Sequence, residues 1–366
     1  MYAKLLSDLD AQIKDNPDRV AWARAVCRKA SYFARQGQTR SALNAIEKVR
    51  AEFASGLDSE VACWLMLAEG ILHFFQLEPI EAHDRFRGAY GLAKTFDAKR
   101  ALPSCAAWMA HIEFNNSDFD SMIRFLDEAL SNAPADDYPA LGRASLVLAD
   151  SFHFAGKFVK ARPWYEQTRL HATAEEDRSM LSALFHNVAA FRAANVRLAD
   201  AFGERVPSET NRATMEAASA YNYDAAIGTT SFGLLVPLLQ SQLLAVESQF
   251  YEALVILASI DEKILPMRLQ PMVGVDRAWC SMGLGLMLEG KVLAKSAAAL
   301  ITGEMEPDDL AYTLGRLAQM EKLSGERFVD CCEERATTSL SAHRSAQLAL
   351  EAKLDKLQST LVDRRQ

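Results

Sequence analysis

The sequence predicts an all-α fold, an α-solenoid of about seven or eight helical hairpins closed by a C-terminal helix. Alanine, leucine and arginine abound and β-branched runs are few, a composition that favours helix. The clearest unit is residues 114–134, FNNSDFDSMIRFLDEALSNAP, which reads as the turn and second helix of one hairpin. Phe119, Met122, Ile123, Leu126 and Ala129 fall at helical spacing, and Pro134 stops the run. The pattern recurs around Ala82, Phe86 and Ala89, around Ala42, Leu43, Ile46 and Val49, and again around Ala161 and Tyr165. The first helices repeat as well: a small residue stands at Ala30, Gly70, Ala110, Ala149 and Ala189, at intervals of 40, 40, 39 and 40. Self-similarity at a fixed period is the mark of a repeat architecture. Small or apolar sites twelve apart let the two helices of a hairpin approach closely where they cross.

The elements follow in order. Residues 1–17 form a short amphipathic lead-in helix ended by Asn16-Pro17. Asp18 caps a helix running to about Gln36, Gly37 turns the chain, and residues 39–54 return as its partner. Further hairpins cover about 58–96, 99–133 and 138–172, the last turning at Ala155-Gly156-Lys157-Phe158. After Ala189 the register slips. Residues 178–202 continue as one long helix, and Ser208 caps another lasting to Ile227, so that 190–228 is an irregular segment within a solenoid spanning 18–325. Residues 232–246 and 250–260 pair as a hairpin, Pro266 and Pro271 punctuate a loop, and 275–288 pairs with 292–301. Pro307 opens a helix ending near Ser324-Gly325, and residues 326–366 form a long polar helix. Its Leu340, Leu350, Leu354, Leu357 and Leu361 approach a heptad stripe, which suits either a capping helix or a homodimeric coiled coil.

In order and type these residues resemble the tetratricopeptide repeat family. Phe119, Met122, Leu126, Ala129 and Pro134 match its pattern, as do Gly156, Phe158, Ala161 and Tyr165, over roughly residues 18–172 and more loosely over 230–300. The spacing of 39–40 exceeds the family's usual repeat and is similar to the long-helix variants in bacterial regulatory and signalling proteins. The resemblance implies a right-handed superhelix and a non-catalytic protein- or peptide-binding scaffold. Some members grip a C-terminal carboxylate with a clamp led by Lys. Cys27 and Leu67 stand at the equivalent sites, so a chaperone-tail adaptor is not expected.

Bulk properties exclude several classes. The formal net charge is −8, from 48 acidic and 40 basic residues, and the basic residues form no stripe, which argues against nucleic-acid binding. The six cysteines include no CxxC, consistent with a reduced, cytoplasmic setting. The N-terminal residues carry acids and do not read as a signal peptide, and the most apolar stretch, 232–246, is too short and polar for membrane insertion. The sequon Asn115-Asn116-Ser117 reads as a chance match. Residues 285–291, GLMLEGK, nearly match a phosphate-binding loop, but Val292 stands where Ser or Thr is required and a helix precedes it. The seven histidines form no metal-binding spacing, no cofactor is implied, and no activated nucleophile is apparent.

Binding is therefore the expectation. In hairpin solenoids the first helices line the concave face. Counting from each small reference residue, the positions six and three before and one, four and five after should face a groove. They give Trp64, Leu67, Ile71, Phe74 and Phe75; then Ser104, His111, Phe114 and Asn115; then Arg143, Asp150, His153 and Phe154; and finally His186. Aromatic rings beside amides and charges suit a protein or peptide segment. The alternatives are a regulatory sensor responsive to a ligand or peptide, and an enzyme with its site in residues 189–228.

Overall fold

A computed structural model describes residues 4–14, 16–261, 265–303 and 305–363. Among them are seventeen α-helices and no strand. The chain groups into two compact units. The first comprises Met1–Leu184, Asp224–Ser231 and Leu350–Gln366; the second comprises Phe185–Tyr223 and Phe232–Ala349.

In the first unit, α1 (Lys4–Ile13) precedes four hairpins: α2 (Arg19–Arg35) with α3 (Thr39–Glu52), α4 (Ser59–Phe75) with α5 (Pro79–Thr95), α6 (Leu102–Asn115) with α7 (Phe119–Asn132), and α8 (Tyr138–Phe154) with α9 (Phe158–Glu175). Starts follow from local chemistry. The carboxylates of Asp18, Asp58, Asp118 and Asp137 accept backbone N–H groups of the helices that follow them. Pro79, Pro103 and Pro139 occupy first turns, where no N–H is needed.

The repeat positions are the packing positions. Ala30, Ala110 and Ala149 are fully buried, as are Ala42, Ala82, Met122 and Ala161 in the partner helices. At Gly70 an added Cβ would meet the Phe86 ring at 2.7 Å, so the two helices of that hairpin meet as closely as side chains permit. Each hairpin turn has one design. Two residues past the end of the first helix stands a residue of positive φ: Gly37, Leu77, Ser117 and Gly156. The next residue's N–H bonds back five positions, as from Gln38 to Phe33 O, Glu78 to His73 O and Asp118 to Glu113 O, the Schellman closure of a helix end.

The second unit holds the same turn at Ser248 and Gly285, between α12 (Leu235–Val246) and α13 (Phe250–Ser259) and between α14 (Gln270–Gly283) and α15 (Met287–Ala299). It also contains α16 (Pro307–Ser324). Three helices divide between the units: α10 (Arg178–Ala201), α11 (Pro207–Ile227) and α17 (Cys332–Asp363). The near-match to a phosphate loop is the α14–α15 turn and the first turns of α15, with a helix before it.

Several starts differ from expectation for identifiable reasons. Pro207, not Ser208, opens α11, and α14 begins at Gln270 with Pro271 in its first turn rather than in a loop. The last helix starts at Cys332 instead of 326. The Glu321 carboxylate accepts the N–H groups of Phe328 and Val329 at 2.7 and 2.9 Å, which holds that stretch against the end of α16. Of the leucine stripe, Leu350, Leu354, Leu357 and Leu361 are buried in the first unit's core and Leu340 in the second's. Lys157 and Lys160 fasten Glu351 at 2.8 and 3.1 Å, and Lys160 also fastens Asp355 at 2.8 Å. The stripe packs against its own chain.

Candidate functional site

The first helices of four consecutive hairpins border a half-open cavity of about 630 Å³ in the first unit. Leu5, Leu9 and Gln12 of α1 line it, together with Arg24, Arg28, Ser31 and Arg35 of α2 and Trp64, Leu67 and Ile71 of α4. Ser104 and Trp108 of α6 and Arg143 of α8 continue the inner wall, Glu175 enters from the end of α9, and Lys99, Arg100, Asp136, Asp137 and Asp177 enter from the connecting segments. The volume falls in the range of small-molecule sites.

Its electrostatics separate paired from unpaired cations. Arg28 reaches Glu175 at 2.7 Å, and Arg35 reaches Asp177 at 2.7 Å. Burial pushes the Asp177 carboxyl up, but Arg35, the Ser179 hydroxyl and the Met180 N–H outweigh it and hold the group below the usual carboxylate range. Asp137 is raised by burial and occupied in capping Ala140. Arg24 and Arg100 make no ion pair among the described residues, and burial followed by repulsion from Arg100 lowers Arg24.

Arg143 is the exceptional group. It is 3% exposed, and its Nε and Nη2 have no hydrogen-bond partner. Its guanidinium lies 4.0 Å from the centre of the Trp108 ring, a contact worth about 2 kcal/mol when desolvated. Burial, and next the charge of Arg35, brings it down to about 9, so it stays protonated at neutral pH. Asp150 and Asp177 lower its cost from a distance, but the Asp150 carboxylate accepts from Tyr165 and Asp177 is held by Arg35. A buried, charged fork without a partner is an expensive arrangement.

The sequence-derived groove positions divide accordingly. Trp64, Leu67, Ile71, Ser104 and Arg143 line the cavity. Phe74 packs edge-on against Trp108 and His111, with ring centres 5.8 and 5.0 Å away, and Phe75 packs on Phe74. His111 is buried, and desolvation followed by Arg143 lowers its pKa far below the ordinary value. Phe114 and Phe154 meet at 5.9 Å over Phe119, and Asn115 is exposed at the end of α6. Asp150 and His153 join Tyr165 at the α8–α9 crossing. The hydroxyl donates to Asp150 at 2.9 Å, which leaves His153 Nδ1, 3.0 Å away, as donor to the hydroxyl oxygen. His186 lies in the second unit, stacked on Phe232 at 4.1 Å and lowered to about 4 by burial.

No model of a known protein family matches this chain. No curated protein matches its sequence either. The site's chemistry must therefore be read from its residues. Among the described residues no three His, Cys, Asp or Glu side chains are placed to hold a metal ion, and no helix is long and apolar enough to cross a membrane. Burial pushes the thiols of Cys63 and Cys280 up, to about 11 and about 12, which suits packing rather than nucleophilic work.

Of the lining residues on α2, α4 and α6, two escaped the sequence offsets. Arg28 and Trp108 each stand two before the reference residue, at Ala30 and Ala110, a position the groove rule omits. Arg24, Ser31 and Arg35 do obey the rule, counted from Ala30, and the first hairpin carried that signal.

Proposed function

We propose that this chain is a non-catalytic binding protein, a long-helix relative of tetratricopeptide repeat solenoids that engages its ligand through the inner helices of the first four hairpins. The cavity of about 630 Å³ bounded by α1, α2, α4, α6 and α8 carries the reading. Its walls combine tryptophan and aliphatic surface with arginine, the pairing that fixes an apolar body and orients a polar end. A right-handed superhelix accounts for inner helices that present equivalent positions in turn.

The gathering of side chains from α1, α2, α4, α6 and α8 around one pocket favours a ligand-responsive regulatory protein over a peptide-laying scaffold. Occupancy would tie α1 to the hairpins and alter what the outer surface binds. Arg24→Glu tests the reading, because Arg24 lines the cavity, is half-buried and makes no ion pair among the described residues. Capture from a cell extract, followed by mass spectrometry of small molecules and proteins, should lose its ligand in this variant while circular dichroism stays unchanged. Equal recovery would move the binding surface elsewhere.

A further inference from the structure

We propose that the cavity recognises a carboxylate attached to an apolar body, with the side edge of Arg143, its Nε–H and Nη2–H, as the bidentate donor. This rests on the binding reading above and names the chemistry of the ligand. Nε and Nη2 lie on one edge of the guanidinium, and two parallel N–H groups match the two oxygens of a carboxylate. Both are without a hydrogen-bond partner, on a side chain that is 3% exposed and borders the cavity. Buried polar groups in folded proteins are satisfied with few exceptions, so an orphaned pair on a side chain that borders a cavity points to a missing partner.

The surroundings narrow the choice. The centre of the Trp108 ring lies 4.0 Å from the guanidinium carbon and covers one side of the group. Arg24 and Arg100 add positive charge on the same cavity and make no ion pair among the described residues. Asp136 and Asp137 also face it, so the lining favours a singly charged carboxylate over a dianionic phosphate. Trp64, Leu67 and Ile71 supply the apolar wall for the rest of the ligand. Two sources offer this chemistry: a free organic acid and the C-terminal residue of a peptide.

The experiment uses the full chain and matched probes. Indole-3-acetate and hexanoate, at ~10 mM to reveal weak binding through the folded state alone, are compared with their carboxamides. Random hexapeptides with free and with amidated C-termini form the second arm, and inorganic phosphate the third. The readouts are melting temperature and tryptophan fluorescence. Free acids should raise the melting temperature and change the emission, and their amides should do neither. Arg143→Lys, which keeps the charge but loses the fork, should weaken binding by about tenfold or more. Response to the small acids assigns the ligand to a free metabolite, and response confined to free-acid peptides assigns it to a chain end. Silence in both free-acid arms overturns the proposal. So does phosphate matching the acids, or Arg143→Lys binding like the wild type. Acid and amide peptides binding equally would also overturn the carboxylate but leave the binding reading intact. Arg24→Gln, at a half-buried position, serves as a second variant if Arg143→Lys fails to fold; it should weaken the acids and leave the amides unaffected, and equal acid binding there also counts against the proposal.

Discussion

A Cβ placed on Gly70 would come within 2.7 Å of Phe86, and that ring is itself stacked on Trp108 at 5.1 Å with 15° between planes. Phe86 therefore has nowhere to retreat. Gly70→Ala gains about 1 kcal/mol of helix propensity, yet overpacking should dominate and leave the variant about 1–3 kcal/mol less stable, as urea denaturation will measure. A wild-type midpoint would mean that the α4–α5 crossing is looser than described. Buried histidines set a second residue-scale expectation. Burial brings His186 to about 4, and burial followed by Arg344 brings His343 to about 4. Between about pH 6.5 and that value the unfolded chain binds protons the folded one does not, so stability rises with pH across the window and is lost on acidification. Melting temperatures should fall from neutral pH towards pH 4, and His186→Phe should flatten the slope. An unchanged slope would show that His186 is protonated in the folded state.

At the scale of elements, the hairpin turn is the repeating device. Gly37, Leu77, Ser117 and Gly156 keep positive φ at intervals of 40, 40 and 39, the same period as the buried small residues. Only two of the four are glycine, so the left-handed residue was legible in the sequence at Gly37 and Gly156, whereas at Leu77 and Ser117 the turn could be placed without it. A left-handed conformation costs a side-chain-bearing residue about 1–2 kcal/mol. Leu77 is 43% exposed and loses little packing on truncation. Leu77→Gly should therefore raise stability by about 1 kcal/mol, less the extra entropy of the unfolded chain; a lowered melting temperature would mean that Leu77 contributes contacts that outweigh its strain. Helical period and reference residues were readable because burial forces small side chains at every crossing. The cavity was readable only in part. Its rule came from helix faces, and Arg28 and Trp108 sit one step round the helix from the face it selected. Asp136 and Asp177 lie in connections, where no period exists to place them.

At the scale of the whole molecule, the first unit is assembled from three separate lengths of chain, the last of them from Leu350 onward. Each fully buried leucine contributes about 1.5–3 kcal/mol, so a chain ending at Ala349 should lose several kcal/mol in that unit. The measurement is a lowered urea midpoint with increased dye binding; an unaltered midpoint would remove Leu350, Leu354 and Leu357 from the core. The sequence showed the stripe but not its partner, because a heptad pattern is the same whether a second copy or the same chain covers it. The fastening of α9 to α17 has a consequence in time. Lys160 meets Glu351 and Asp355 across separations of 191 and 195 residues. The early hairpins emerge from the ribosome, form their local turns and then wait. Until residues 350–361 are synthesised, the surface meant for these leucines stays bare, and the nascent chain carries an apolar face open to chaperones.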